Sequence, residues 1–208
     1  MHKLEVKFSR GPEVKYISHL DLMRFWRRAL LRADIPVVYS KGFNPHPRIS
    51  LALPLPLSVE SSAELMEVSL RRRMAPLSFM QAVSPQLPPG IEILEAREVP
   101  PKLPSLQSRI MFAEYEVEVK EGEEGEKIPP SIRAFLMKES IPWEHMRDTG
   151  ARSYDLRPLV DDIWIKEQNK AHFTLGMKLK PQGRADQVVK ALGISSPRVI
   201  RRTRLLLR

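Results

Sequence analysis

The residues with the richest chemistry lie between Ser40 and Ser50, where the chain reads Ser-Lys-Gly-Phe-Asn-Pro-His-Pro-Arg-Ile-Ser. Lys41 and Arg48 supply cations, Phe43 a ring, Asn44 an amide and His46 an imidazole, while Gly42 lets the backbone turn. Pro45 and Pro47 fix their own φ and push Asn44 and His46 toward extended geometry, so these side chains are presented in a set order. Cations can hold phosphates, a ring can stack on a base, and an amide and an imidazole can read an exposed base edge. Gly, Asn and Pro are also the residues of ordinary turns, so composition fits a plain turn and a binding loop alike. The sequence just before the segment favours the loop.

That preceding stretch, Tyr16 to Ala33, reads as one amphipathic helix. Ser18 can cap it, Asp21 follows three residues later as a shortened capping box, and Ile17 with Leu22 fits a hydrophobic staple. Leu22, Met23, Trp26, Ala29, Leu30 and Ala33 recur at helical spacing and form the stripe expected to be buried. Arg24, Arg27, Arg28 and Arg32 fall largely on the other side. A charged face is commonly just the solvated one, yet a guanidinium forks phosphate and stacks on bases better than an ammonium does. Arg24, Arg27 and Arg28 are therefore expected to extend the basic surface of the loop.

Charge agrees with a polyanionic partner. The 208 residues carry a net charge of +9 with a pI near 9.9, and the first fifty hold ten Lys or Arg against four Asp or Glu. A field of that sign attracts nucleic acid or an anionic membrane face. No apolar run reaches the roughly 20 residues of a spanning helix, and the start, Met-His-Lys-Leu-Glu, lacks the apolar core of a signal peptide. A cytoplasmic protein that does not enter membranes is expected. With no cysteine there are no disulfides, thiolate zinc sites, cysteine nucleophiles or iron–sulfur clusters held by this chain. The five histidines, at 2, 19, 46, 145 and 172, show no metal-ligand spacing, so neither a metal nor a cofactor site is expected.

The elements that must position the loop follow a repeated order. Leu4, Val6 and Phe8 alternate as a strand, the arginine helix follows, and Ile49 to Val59 alternates over a long second strand. Pro54 and Pro56 remove donors from one side of that strand, which places it at a sheet edge. Met66, Val68 and Leu70 suggest a third strand, Pro76 to Val83 a helix, and Ile91 with Ile93 a fourth strand. After the proline-rich stretch from Pro100 to Pro104 the order recurs. Ala113 to Val119 reads as a strand, Glu121 to Lys127 as an acidic loop, and Ile132 to Met137 as the start of a helix after Pro129 and Pro130. Tyr154 to Ile165 and Phe173 to Leu179 read as strands, Ala185 to Leu192 as a helix closed by Gly193, and Val199 to Leu207 as the last strand. The expected fold is α+β, with two tandem ferredoxin-like (β-α-β-β-α-β) lobes at residues 1–99 and 105–208 and antiparallel sheets.

The second lobe offers a weaker anion site. Lys180, Gly183 and Arg184, beside Lys178 and Gln182, precede the last helix, whose free N–H groups favour an anion, although a routine strand-to-helix connection would use the same residues. Asp155-Leu156-Arg157-Pro158 places opposite charges at a strand break, where a local ion pair is expected. Arg198, Arg201, Arg202, Arg204 and Arg208 add charge to the last strand, where it also guards an edge against aggregation.

Tyr16-Ile-Ser-His-Leu-Asp, Tyr39-Ser-Lys-Gly-Phe-Asn-Pro-His-Pro and the Leu-Pro-Leu-Pro strand resemble the radical SAM-linked protein family, a bacterial domain of unknown function. Asp155-Leu-Arg-Pro-Leu and Pro181-Gln-Gly resemble its later motifs, so the resemblance spans nearly the whole chain. It implies an accessory protein fused to, or encoded beside, radical SAM proteins with a cobalamin-binding domain, and it carries over no catalytic residue. The tandem plan is also similar to the CRISPR repeat-processing endoribonucleases, whose multi-glycine loop near the C-terminus this chain lacks. The reading is an accessory protein of a radical SAM enzyme that binds RNA through Arg24, Arg27, Arg28, Lys41, Phe43, Asn44, His46 and Arg48. One alternative is a metal-independent endoribonuclease in which His46 or His19 moves the 2′-hydroxyl proton. Another is a docking module that meets its partner through the arginine face and the second-strand edge.

Overall fold

Alternation sets the first strand, because Leu4, Val6 and Phe8 all point to one side and are fully buried there. The computed structural model describes residues 1–120, 123–147, 150–168 and 172–208. The chain forms two units, Met1–Ile110 with Leu207–Arg208, and Met111–Leu206.

In the first unit, β1 (His2–Arg10) leads through a 3-10 turn into α1 (His19–Arg32), followed by β2 (Ile49–Leu51), β3 (Glu60–Leu70), α2 (Pro76–Val83), β4 (Ile93–Val99) and the single turn α3 (Leu106–Arg109). β1 pairs antiparallel with β3 on one side, Leu4 opposite Val68, and with β4 on the other, Leu4 opposite Glu98. β2 pairs antiparallel with Met66 to Val68 of β3. Because β1 already occupies one side of that stretch, β2 lies on the other. The spatial order is thus fourth, first, third, second strand. Leu22, Trp26 and Leu30 of α1 and Phe79 and Val83 of α2 complete the core against Val6, Phe8, Met66 and Val68.

The helix forms where its sequence signals place it. Ser18 Oγ accepts the Asp21 N–H at 3.1 Å and donates to the Asp21 carboxylate at 2.7 Å, and that bond, with the Arg24 guanidinium, holds the Asp21 carboxyl below its usual range. At the other end Asp34 adopts a left-handed φ of 48° and Ile35 N–H returns to Leu30 O at 3.1 Å, which closes the last turn. Ser18→Ala is expected to lower stability by about 1 kcal/mol, read from the urea midpoint. An unchanged midpoint would show that tertiary packing alone holds the helix start.

The opposite face of this sheet carries charge rather than hydrocarbon. Glu5 and Glu67 stand directly opposite each other and both are buried. Arg109 of α3 bonds Glu5 and reaches Glu67 at 3.1 Å, Lys3 reaches Glu67 at 3.3 Å, and Arg97 bonds Glu5. Gln107 of the same turn bonds Ser50 Oγ and Leu51 O, so the connection after β4 is fastened across β2 and β3.

The second unit runs β5 (Ile110–Lys120), α4 (Glu123–Met137), β6 (Pro142–Arg147), β7 (Gly150–Asp155), β8 (Val160–Gln168), β9 (His172–Leu179), α5 (Ala185–Ala191) and β10 (Val199–Leu207). Its main strands follow the order β10-β5-β9-β8, with β6 and β7 as a separate antiparallel ribbon. Counted without the ribbon, this is again fourth, first, third, second. The whole is an α+β fold with mostly antiparallel pairing. Gly176 of β9 stands between Glu116 and Trp164 on the face away from the core. A Cβ there would lie 2.1 Å from the Trp164 ring, so only glycine lets the indole lie across the sheet.

Four expectations need correction. The second strand ends at Leu51 instead of reaching Val59, because Pro54 and Pro56 lack the N–H groups that would continue it. The segment is still packed through Leu55 and Val59, and Ser58 takes a left-handed φ of 66°. α4 starts at Glu123 and runs through both prolines, since Ile128, Ile132 and Phe135 give it a buried stripe. Most of the expected acidic loop is therefore helix, while Glu121 and Gly122 lie outside the described residues. The strand expected from Tyr154 to Ile165 is two strands, broken by a 3-10 turn at Arg157–Leu159. The ion pair expected there is replaced by backbone capping. Asp155 Oδ1 accepts Ile141 N–H at 2.8 Å and Arg157 N–H at 3.0 Å, and Arg157 donates to Val160 O and Leu136 O. The N–H of Ile141 is the main reason that the Asp155 carboxyl sits below its usual range.

Candidate nucleic-acid interface

The Lys41 to Arg48 segment is the tip of an irregular hairpin anchored on the last residues of β3. Val38 N–H donates to Ser69 O at 2.8 Å, Ser69 N–H to Arg48 O at 3.1 Å, and Arg48 N–H to Val38 O at 2.7 Å. Tyr39 bridges Pro47, and Ser40 N–H donates to His46 O at 2.9 Å. Between these arms Gly42 turns the chain with φ of 123°, a conformation that side chains rarely allow. Lys41, Phe43, Asn44, His46 and Arg48 are all exposed, and Phe43 is wholly so, at 106% of its reference surface.

Ser40 braces the tip from inside. Its Oγ accepts the His46 N–H at 3.1 Å and lies 3.1 Å from His46 Nδ1, which is also 3.2 Å from Asn44 O. Nothing in the sequence marked Ser40 for this role, because a serine six residues from a histidine has no regular spacing to reveal it.

The arginine face is thinner than its sequence implies. Arg24 is held by Asp21 at 2.9 Å, and Arg32 donates to Gln86 at 3.2 and 3.0 Å. Arg27 is half-buried, its Nε without a partner among the described residues, and Arg28 is exposed. Leu70 of β3 faces His2 at the start of β1, whereas α1 begins beyond the end of β1. The hairpin's anchor and the C-terminal turns of α1 therefore share one end of the sheet, and Arg28 is exposed on that helix without the bonds that hold Arg24 and Arg32. His19 opens α1, some 20 Å away along its 14 residues. His19 thus opens the helix at the end away from the one where the hairpin is anchored on β3.

The expected anion site before α5 has no spare cation at Arg184, which pairs with Asp186 at 3.0 Å. Gly183 N–H closes a turn on Lys180 O at 2.8 Å, Lys180 is exposed, and Lys178 pairs with Asp161 at 2.8 Å. α5 has only seven residues, and these contacts describe a strand-to-helix turn. Among the described residues no three His, Asp or Glu are grouped to hold a metal ion, and no helix is long and apolar enough to cross a membrane.

The profile of DUF2344, described as an uncharacterized protein conserved in bacteria, matches residues 3–188. The chain belongs to this family. The DUF2344 description names no radical SAM protein, so that link rests on the resemblance of motifs alone. No curated protein matches the sequence. Among solved structures, a chain of a Cbf5-Nop10-Gar1 complex is similar over 98% of this chain with 12% identity and a TM-score of 0.53. A chain of the archaeal box H/ACA sRNP Nop10-Cbf5 complex matches over 99% with 12% identity and a TM-score of 0.47. The DUF2344 chain spans 48% of the length of each. At that identity the likeness is one of fold.

Proposed function

We propose that the chain is an RNA-binding accessory protein of the bacterial cytoplasm, built as two tandem ferredoxin-like lobes and serving a radical SAM enzyme with a cobalamin-binding domain. The observation that carries the RNA reading is Phe43, wholly exposed on a braced tip and flanked by exposed Lys41, Asn44, His46 and Arg48. Burying a phenylalanine ring stabilises a fold by roughly 1.5–3 kcal/mol, so a ring held in solvent on a pre-shaped turn contributes nothing to its own lobe. Its face suits an unstacked base, Lys41 and Arg48 suit the adjoining phosphates, and Asn44 suits a base edge. On this reading Arg28 extends the cationic surface, and Arg24 and Arg27 add charge to it. The strand order in both units supports the tandem ferredoxin-like reading. Likeness to a chain of a several-protein complex agrees with an accessory role. The radical SAM partner follows from the resemblance of the Tyr16 and Tyr39 motifs, and co-purification of the tagged chain with that enzyme is the check.

RNA binding is tested by fluorescence anisotropy with a single-stranded oligonucleotide. Phe43→Ala is expected to weaken binding by about 1–3 kcal/mol while the urea midpoint stays within about 0.5 kcal/mol of wild type. Affinity should also fall by about 0.7 log units per log unit of salt for each phosphate neutralised. Unchanged affinity in Phe43→Ala together with a flat salt response would remove the RNA reading. In chelator, the RNA should remain intact, because among the described residues His46 is bonded to Ser40 and Asn44 and to no second histidine.

A further inference from the structure

We infer that His46 recognises a ribose 2′-hydroxyl, so that the hairpin tip tells RNA from DNA; the inference rests on the RNA-binding reading above. His46 Nδ1 lies 3.2 Å from the Asn44 carbonyl oxygen and 3.1 Å from Ser40 Oγ. A carbonyl oxygen only accepts, so this contact is attractive only when Nδ1 carries the hydrogen. The other tautomer would set the ring lone pair against the lone pairs of Asn44 O. Ser40 Oγ already accepts the backbone N–H of His46 at 3.1 Å and can accept from Nδ1–H as well. Nδ1–H can serve both oxygens, whereas an unprotonated Nδ1 could use only the Ser40 O–H and would oppose Asn44 O, so the neutral ring is assigned with its N–H inward. Nε2, which makes no hydrogen bond among the described residues, presents a lone pair on an exposed side chain.

An outward acceptor needs a donor on the ligand. Phosphate oxygens offer none, and Lys41 and Arg48 already match them. Base donors change position from one base to the next, whereas every ribonucleotide carries the same 2′-hydroxyl, the group by which proteins separate RNA from DNA. Phe43 can take any base on its face and the cations any phosphate. Beside the base edge that suits Asn44, the 2′-hydroxyl is the remaining group common to every ribonucleotide, and Nε2 has the matching chemistry.

Two measurements test this. Long-range proton–nitrogen NMR of the full chain, with the ring neutral, should show His46 protonated at Nδ1; protonation at Nε2 would overturn the inference. Anisotropy with single-stranded RNA, DNA and 2′-O-methyl RNA of one sequence should show wild type preferring RNA by about fivefold, the worth of one ordinary hydrogen bond. The preference should vanish in His46→Ala, and Phe43→Ala should weaken RNA and DNA alike. His46→Asn guards against a collapsed tip, since its amide keeps a donor near the Nδ1 position and has nothing at Nε2; it too should lose the preference. Equal, Phe43-dependent binding of RNA and DNA by wild type would overturn the 2′-hydroxyl inference and leave the nucleic-acid grip standing. No binding of any strand would remove both.

Discussion

Arg109→Met should destabilise the first unit by about 3–5 kcal/mol, because it removes the cation between two buried carboxylates and leaves them facing each other. Glu5 is 3% exposed and Glu67 6%, and they are direct cross-strand partners. Lys3 would remain beside Glu67 and Arg97 beside Glu5, but the Arg97 side chain is 54% exposed and anchors only one oxygen. The same network sets an acid limit. Burial pushes the Glu5 carboxyl upward, and the hydrogen bonds and charges of Arg109 and Arg97 together outweigh it, so its folded pKa lies below the ordinary 4.5. A depressed carboxylate contributes stability that is complete above pH 4.5 and lost as pH falls through the folded value. Without Arg109, burial and the Glu67 charge act unopposed from that side, and the loss should begin at higher pH. Urea unfolding of both proteins from pH 7 to pH 3 checks this. A wild-type-like midpoint at pH 7, or an acid transition unmoved by the substitution, would show that the network is solvated and of little weight.

The second large effect concerns Trp26, the fully buried centre of the α1 stripe. Its ring meets Phe8 edge-on at 5.0 Å and 71°, and Phe25 at 6.1 Å. Trp26→Ala should cost about 3–5 kcal/mol, from lost burial plus the cavity left behind. Trp26→Phe should cost much less than Trp26→Ala. The indole Nε1–H is buried with no acceptor among the described residues, so phenylalanine removes an unmet donor along with part of the ring. Comparable losses in the two variants would mean that the N–H has a partner and that packing is not the main contribution of the residue.

These cases show what a sequence reader can and cannot reach. α1 was legible because its cap, stripe and stop are local, and α2 was legible for the same reason, with Pro76 opening it; β10 was legible as the apolar-ended run after the Gly193 stop. β2 misled because Leu51 to Val59 alternates although Pro54 and Pro56 lack the N–H groups that would carry the ladder on, so side-chain burial outlasts the strand. The β6–β7 ribbon, with Pro-Trp-Glu-His-Met-Arg as one arm, has no apolar alternation to announce it. The charged network was hidden for another reason. Lys3 and Glu5 have the spacing of a solvated strand face, and their partner Arg109 lies 104 residues away from Glu5, where only the folded chain brings it near. Within the candidate site the exposed tip could be read from its composition. The Ser40 brace and the placement of the hairpin's anchor away from the start of α1 could not, since each depends on how the arms anchor to β3.

The placement of Trp164 across Gly176 also divides the chain's light emission. Of three tryptophans, Trp26 lies in the first unit, while Trp143 and Trp164 lie in the second. Trp26 is sealed in hydrocarbon and should emit to the blue, whereas the indole over Gly176 is 37% exposed and should emit to the red and yield to aqueous quenchers. A denaturation followed at two wavelengths would then carry separate records of the two units, and the Trp26→Phe protein would be dark in the first while still reporting on the second.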